Sequence, residues 1–242
     1  MAIPSVEPVD VLAVGPHPDD IEIGIGGTVA KHASRGDRVG LCDLTAGEMG
    51  SNGTVEERLA EADAAGEVLG ARWRVNLRLP DRALGGDPAH AQAIASLVRR
   101  ARPRVVAVPY WSDRHPDHVA ASQLLTDAVF NAGLRRYDAD GDAWKPDWVC
   151  YYFINDSAAP SFVVDVSEFY GTKRRALAAH VTQFTPTSPT AVSTRLTSAT
   201  FTQLIESRDA QFGALIGVPF AEGLVVRQPV TRGDLLLHRS ER

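Results

Sequence analysis

Short apolar runs rich in Val and Leu alternate with longer Ala-rich stretches of helical period through the first half of the chain. That alternation confines it to βα units around a mostly parallel sheet. Val11 to Val14 reads as the first strand, 26–35 as a helix closed by Gly36, and Arg38 to Leu44 as the second strand. Thr54 with Glu57 three residues on forms a capping box that opens a helix running to Gly70, followed by a strand from Arg72 to Leu79. The next helix fits Pro88 to Ala101, and the strand Val105 to Val108 has the unbroken apolar character of a strand buried on both faces. Pro116 to Gly133 is helical again. Beyond a polar connection at 137–146, strands are expected at 148–154 and 162–166 and helices at 168–184 and 201–212; the TPTSPTAVST segment between those helices reads as an ordered loop or lid. The expected fold is therefore α/β and Rossmann-like, with helices on both faces of a mostly parallel sheet. It is expected to be a single domain over 1–242, with a core at about 9–135 and a C-terminal extension at about 146–239 that completes the sheet and the pocket.

A chain of 242 residues, 44% of them hydrophobic, suffices for one such core. With 25 Lys and Arg against 30 Asp and Glu, it lacks the excess of basic charge that neutralises phosphates, so nucleic acid is not an expected partner. Cys42 and Cys150 sit in apolar strand segments without paired spacing. Neither a disulfide framework nor a Cys-based zinc site is indicated, and a reducing, cytoplasmic setting is expected. No run approaches the ~20 apolar residues of a membrane span, and the first ten residues lack a basic segment followed by an apolar one, so a soluble, unprocessed protein is expected.

The chemistry is concentrated at two strand ends. The first strand runs into Gly15-Pro16-His17-Pro18-Asp19-Asp20, at the edge where open α/β sheets build ligand sites. A second cluster, Asp113-Arg114-His115-Pro116-Asp117-His118, follows the strand ending near Pro109 and is expected to emerge on the same edge. One His-Pro-Asp string alone is an ordinary turn, because Pro and Asp favour turns for local backbone reasons. Two of them at neighbouring strand ends point to a metal site. Catalytic zinc commonly takes three protein ligands and leaves a position for water, which His17, Asp20 and His118 satisfy, with Asp19 left over. The same donor set also holds Fe2+. His32, His90, His180 and His238 lack such neighbours, and surface or structural roles suffice for them.

A rival reading is dinucleotide binding, from Gly24, Gly26 and Gly27 with Asp43 at the end of the second strand. The glycine fingerprint is incomplete, since Val29 stands where its last glycine belongs, and close helix packing explains these glycines. No Gly-x-Ser-x-Gly elbow occurs, which sets serine catalysis aside.

PHPDDIEIGIGGT together with DRHPDH resembles the LmbE-like (PIG-L) zinc de-N-acetylases, whose motifs are a His-Pro-Asp-Asp turn and a later His-x-Asp-His. Within that family the chain is similar to the bacillithiol-biosynthesis deacetylases, which remove acetyl from N-acetylglucosaminyl malate. That likeness is carried by CDLTAGEMGSNGT, LPDRAL, PYWSDRHPDH, the Tyr151-Tyr152 strand and FAEG, from about Val11 to Gly223. The resemblance implies Zn2+ held by His17, Asp20 and His118, and Asp19 as general base. It also implies a protonated His115 that steadies the oxyanion or protonates the leaving amine, and Arg58, Asp81 and Arg82 facing the sugar and its anionic aglycone. It further implies a small-molecule N-acetylglucosaminyl substrate and a homo-oligomer, often a hexamer. Arg58 also has Glu61 within one turn, so a helix-surface ion pair is an equally open reading. The other readings of function are deacetylation of a different N-acetylglucosamine derivative, such as a chitooligosaccharide, and a non-catalytic sugar- or nucleotide-binding module. Two departures are visible. Ile21 stands where the wider family often has Glu, as in the bacillithiol branch, and Phe201 stands where relatives carry a tyrosine hydroxyl.

Overall fold

The structure, a computed structural model, describes residues 5–229, so His238 and the end of the expected C-terminal extension lie outside the described residues. Five strands run parallel: β1 (Val11–Gly15), β2 (Val39–Thr45), β3 (Trp73–Leu79), β4 (Val105–Pro109) and β5 (Trp148–Tyr152). β6 (Phe162–Asp165) and β7 (Ala221–Val225) complete a seven-stranded sheet in the order β3-β2-β1-β4-β5-β7-β6, with β7 antiparallel to both neighbours. From β1 the chain winds outward to β2 and β3, and from β4 it winds the other way. The crevice between the carboxyl ends of β1 and β4 is therefore the switch point of the sheet.

The pleat assigns the two cores. Leu12 and Val14 of β1 pack with Ile94, Leu97 and Val98 of α3 (Pro88–Ala101) and Leu125 of α4 (Pro116–Ala132). Ala13 packs on the other face, with Ile21, Ile25 and Val29 of α1 (Asp20–Ser34), Leu69 of α2 (Val55–Leu69) and Leu177 of α5 (Tyr170–Ala179). Fully burying one such aliphatic side chain stabilises by roughly 1.5–3 kcal/mol, so both faces hold the motif-bearing strand rigidly. The capping box forms as read: Thr54 Oγ1 accepts from the Glu57 amide at 3.2 Å, and Glu57 Oε2 accepts from the Thr54 amide at 2.7 Å.

Three elements differ from the sequence reading. α1 starts at Asp20 and breaks at Ile25 (φ −138°, ψ 24°), where the glycine-rich run weakens the helical signal. The glycines serve contact: a Cβ on Gly24 would lie 2.2 Å from the Tyr152 ring. The break frees the amides of Gly27 and Thr28, and Glu222 accepts from both at 2.9 and 2.6 Å. The single helix expected at 168–184 divides at His180 (φ −80°, ψ 62°) into α5 and a short α6 (Val181–Phe184). β7 was not anticipated, because Glu222 and Gly223 are poor strand formers. Here Glu222 is paired internally and Gly223 lies against the Phe212 ring of α7 (Ala199–Ile216).

Candidate metal centre

The first motif is shaped by the end of β2. Thr45 donates its amide and its hydroxyl to Pro16 O, both at 3.0 Å, which fixes the turn after β1. Asp19 adopts φ 121° and ψ −25°, outside the αL region that Asp tolerates and a conformation that L-residues avoid, and its side chain makes no capping bond to α1. Its carboxylate is buried, and burial lifts its pKa to about 6 against the opposing charge of Arg58. Arg58 is itself buried. It donates from Nη1 to Gly47 O at 2.8 Å and from Nη2 to Pro18 O at 3.0 Å, and its Nη2 lies 3.5 Å from Asp19 Oδ2. The ion pair with Glu61 is absent, because Glu61 accepts from the amide and hydroxyl of Thr182.

The second motif enters from β4. Asp20 bridges the two histidines that follow from these motifs: its Oδ2 is 3.1 Å from His17 Nδ1, and its Oδ1 is 3.4 Å from His118 Nε2. The donor atoms of His17, His115 and His118 also lie within 4.8 Å of one another, so three imidazoles are candidates where the sequence reading took two. The cap of α4 separates them. His115 Nδ1 accepts the Asp117 amide at 3.2 Å, so a neutral ring carries its proton on Nε2. Ligation through Nε2 would leave that ring with no proton, or break the cap. His115 is thus suited to donate a proton, and His17 and His118 to bind a metal.

The donor set fits a divalent cation. Five mostly buried carboxylates converge here, those of Asp19, Asp20, Asp81, Asp113 and Asp117. Burial disfavours a charged His17, yet Asp117, Asp20 and Asp81 outweigh it and hold its pKa well above the ordinary value. For His118, Asp20 and Asp113 do the same. His115 goes the other way: burial, with His118 and His17 beside it, lowers its pKa, which favours a neutral ring over the protonated one expected from the resemblance. Two imidazoles and a carboxylate suit zinc, and equally ferrous iron.

Over this centre lies a cavity of about 420 Å3, within the usual range of small-molecule sites. Its walls include His17, Asp19, Asp20, His115, His118 and the expected substrate residues Arg58, Asp81 and Arg82. The donors of Arg58 are largely committed to the protein, and Arg82 Nη1 is paired with Asp117 Oδ1 at 2.9 Å. Asp81 faces His17 Nε2 at 3.3 Å and accepts the Met49 amide at 3.1 Å. The TPTSPTAVST segment is ordered by Asn52, which exchanges two 2.9 Å bonds with the backbone of Val192, and the residues that follow bring Arg195 and Leu196 to the cavity. Phe201 is buried in the core beside Phe184 and does not line the cavity. Asp43, which the dinucleotide reading needed at the cleft, is buried and held by Arg74.

Sequence reasoning assigned nothing to Asp113, Asn155, Arg114 or Arg195. Asp113 accepts from the His115 amide at 2.8 Å and the Asn155 amide at 2.9 Å, and its Oδ1 is 3.1 Å from His118 Nδ1. Its place two residues before His115 was a usable signal, since Asp bonds its own backbone two residues on. Asn155 and Arg195 had none, because they reach the site through strand order and a distant loop.

The PIG-L family model, described as GlcNAc-PI de-N-acetylase, matches residues 12–129. A diacetylchitobiose deacetylase of Thermococcus kodakarensis is 33% identical over 72% of this chain and 70% of its own length. A 1D-myo-inositol 2-acetamido-2-deoxy-alpha-D-glucopyranoside deacetylase of Catenulispora acidiphila is 28% identical over 76% of this chain and 83% of its own. Among solved structures, a conserved protein from Thermus thermophilus superposes with a TM-score of 0.86 at 38% identity, covering 95% of this chain and 100% of that one.

Proposed function

We propose that this chain, which belongs to the PIG-L family and is a hydrolytic N-deacetylase, removes acetyl from an N-acetylglucosamine conjugate whose aglycone is anionic. The observation that carries the reading is Asp19, buried and strained beside the Asp20 carboxylate that joins His17 to His118.

His17, Asp20 and His118 hold Zn2+ in this reading, with Fe2+ as the other metal the donors accept. The metal supplies Lewis acidity, which acidifies water and polarises the amide carbonyl. Asp19, with its carboxyl lifted to about 6, takes the proton of the attacking water at neutral pH. His115 donates its Nε2 proton toward the developing oxyanion, and collapse places a proton from His115 or Asp19 on the departing amine. Arg58 keeps Asp19 from drifting by tying the loop after β1 to the loop after β2, through Pro18 O and Gly47 O. A binding module has no use for this acid, which supports an enzyme over the non-catalytic reading.

The aglycone reading rests on charge. Arg82, Arg114 and Arg195 line the cavity, and Arg114 and Arg195 are exposed with no ion pair among the described residues. N-acetylglucosaminyl malate matches that surface, whereas a chitooligosaccharide offers it no carboxylate. Acetate release is to be measured with wild type and Arg195→Ala on N-acetylglucosaminyl malate, diacetylchitobiose and a neutral inositol conjugate. The expected result is chelator-sensitive turnover with preference for the malate, and a roughly tenfold higher KM for it in the variant, about 1.4 kcal/mol. Preference for diacetylchitobiose would transfer the assignment to chitooligosaccharides. Chelator-resistant or absent turnover on all three would remove the metal-dependent deacetylase itself.

A further inference from the structure

Each histidine that faces Asp20 has its other ring nitrogen against a second carboxylate. His17 presents Nδ1 to Asp20 at 3.1 Å and Nε2 to Asp81 Oδ1 at 3.3 Å. His118 presents Nε2 to Asp20 at 3.4 Å and Nδ1 to Asp113 Oδ1 at 3.1 Å. A ligating imidazole gives a lone pair from one nitrogen and keeps its proton on the other. An acceptor on that proton fixes the tautomer and the ring plane and strengthens the ligand.

We infer that Asp81 and Asp113 are the positioning residues of the metal centre: Asp81 holds His17 as the Nε2–H tautomer with Nδ1 as ligand, and Asp113 holds His118 as the Nδ1–H tautomer with Nε2 as ligand. The inference rests on the ligand set of the deacetylase reading and reassigns Asp81, which the resemblance placed on the sugar.

Three features single out these two acids. Their side chains are only 5% and 3% exposed, and among the described residues neither has a Lys or Arg partner, so the imidazole is the one basic group each faces in an ion pair; Asp81 also lies beside the Asp117 carboxylate. Both are fixed by backbone donors. The Met49 amide holds Asp81 Oδ2 at 3.1 Å, and Asn155 holds Asp113 through its amide at 2.9 Å and Nδ2 at 3.0 Å. Asp117 also approaches His17 Nε2, at 3.4 Å, but it is committed to the Arg82 amide at 2.8 Å and guanidinium at 2.9 Å. The two carboxylates thus act from opposite sides. Asp81 comes from the loop after β3, and Asp113 from the loop after β4, where Asn155 after β5 locks it.

The test is zinc affinity, measured by competition with a chromophoric chelator on metal-free wild type, Asp81→Asn, Asp113→Asn and the control His118→Ala, alongside thermal melts of each metal-free protein. Loss of a carboxylate behind a metal-bound histidine commonly weakens binding ~10–100-fold, and that loss is expected in both Asn variants at unchanged metal-free melting temperature. Wild-type affinity with a raised KM in Asp81→Asn would return Asp81 to the sugar and overturn its part of the inference. Wild-type affinity in Asp113→Asn would do the same for Asp113. Retained affinity in His118→Ala would instead overturn the ligand set itself. Should an Asn variant fail to fold, nitrogen-proton correlation spectra of the 15N-histidine-labelled zinc protein decide directly. His17 protonated on Nε2 and His118 on Nδ1 support the inference, and either ring in the opposite tautomer overturns it.

Discussion

Around the body of α1, Glu22 and Asp43 share the guanidinium of Arg74, and Glu222 and Asp209 share the ammonium of Lys173, each at 2.7 Å. In the loops after β1, β3 and β4, by contrast, Asp20, Asp81 and Asp113 have no Lys or Arg ion-pair partner among the described residues and face imidazoles instead. Both groups are buried, and they differ in what compensates them. Burial favours a neutral Glu22, but Arg74 and His180 hold its carboxyl far below the usual range, so Glu22 is charged and neutralised in place. At the strand ends burial likewise favours neutral Asp20 and Asp113, and both are also held below the usual carboxylate range, but by the imidazole of His118 and, for Asp20, that of His17. This compensation lasts only while those rings are protonated. A fold that needs only stability neutralises its buried acids with its own Lys and Arg. The site uses imidazoles, whose charge is given up when they bind a metal.

Perturbing each group is the way to break this contrast. The largest effect is expected for Asp19→Asn, which keeps the metal and loses ~10²–10⁴-fold in kcat, read by metal analysis beside steady-state kinetics; near-normal turnover would take the base away from Asp19. Next comes Lys173→Met, which leaves Glu222 without its cation and Asp209 with Arg208 alone. Denaturant unfolding of the metal-free protein is expected to show a loss of ~3–5 kcal/mol, and an unchanged midpoint would mean that this charge is not compensation at all. Zinc at a hundredfold excess over its dissociation constant is expected to stabilise wild type by about 2.7 kcal/mol and His118→Ala by far less. The smallest effect is the sharpest probe. Asp20→Asn, which removes the carboxylate shared by His17 and His118, is expected to cost the metal-free protein only about 1 kcal/mol, because the two imidazoles can release their protons once it is gone. A drop comparable to that of Lys173→Met would show that the strand-end carboxylates are structural too.

Much of the sheet was legible. β1 to β6 match the expected strands to within a few residues; β1, β2 and β4 are buried on both faces and have little choice of composition, whereas the half-buried β3 shows alternation instead. β7 was illegible, since its Glu222 belongs to the α1 break and Lys173, contacts 195 and 49 residues away. The two His-Pro-Asp strings were found for the right reason, by their place after strands. The proton state of His115 and the partner of Asp81 were not, because the first turns on whether His115 Nδ1 takes the Asp117 amide in the α4 cap and the second on a contact between residues 64 apart in the chain.

By itself the sequence determined the periodicities, the turn-forming strings at two strand ends, and so the kind of chemistry the chain carries, because those are local properties of backbone and side chain. Tertiary structure alone decided which acids are neutralised by Lys and Arg and which by imidazoles. Charge compensation depends on distances between residues remote in the chain, and these exist only once β1 and β4 lie side by side.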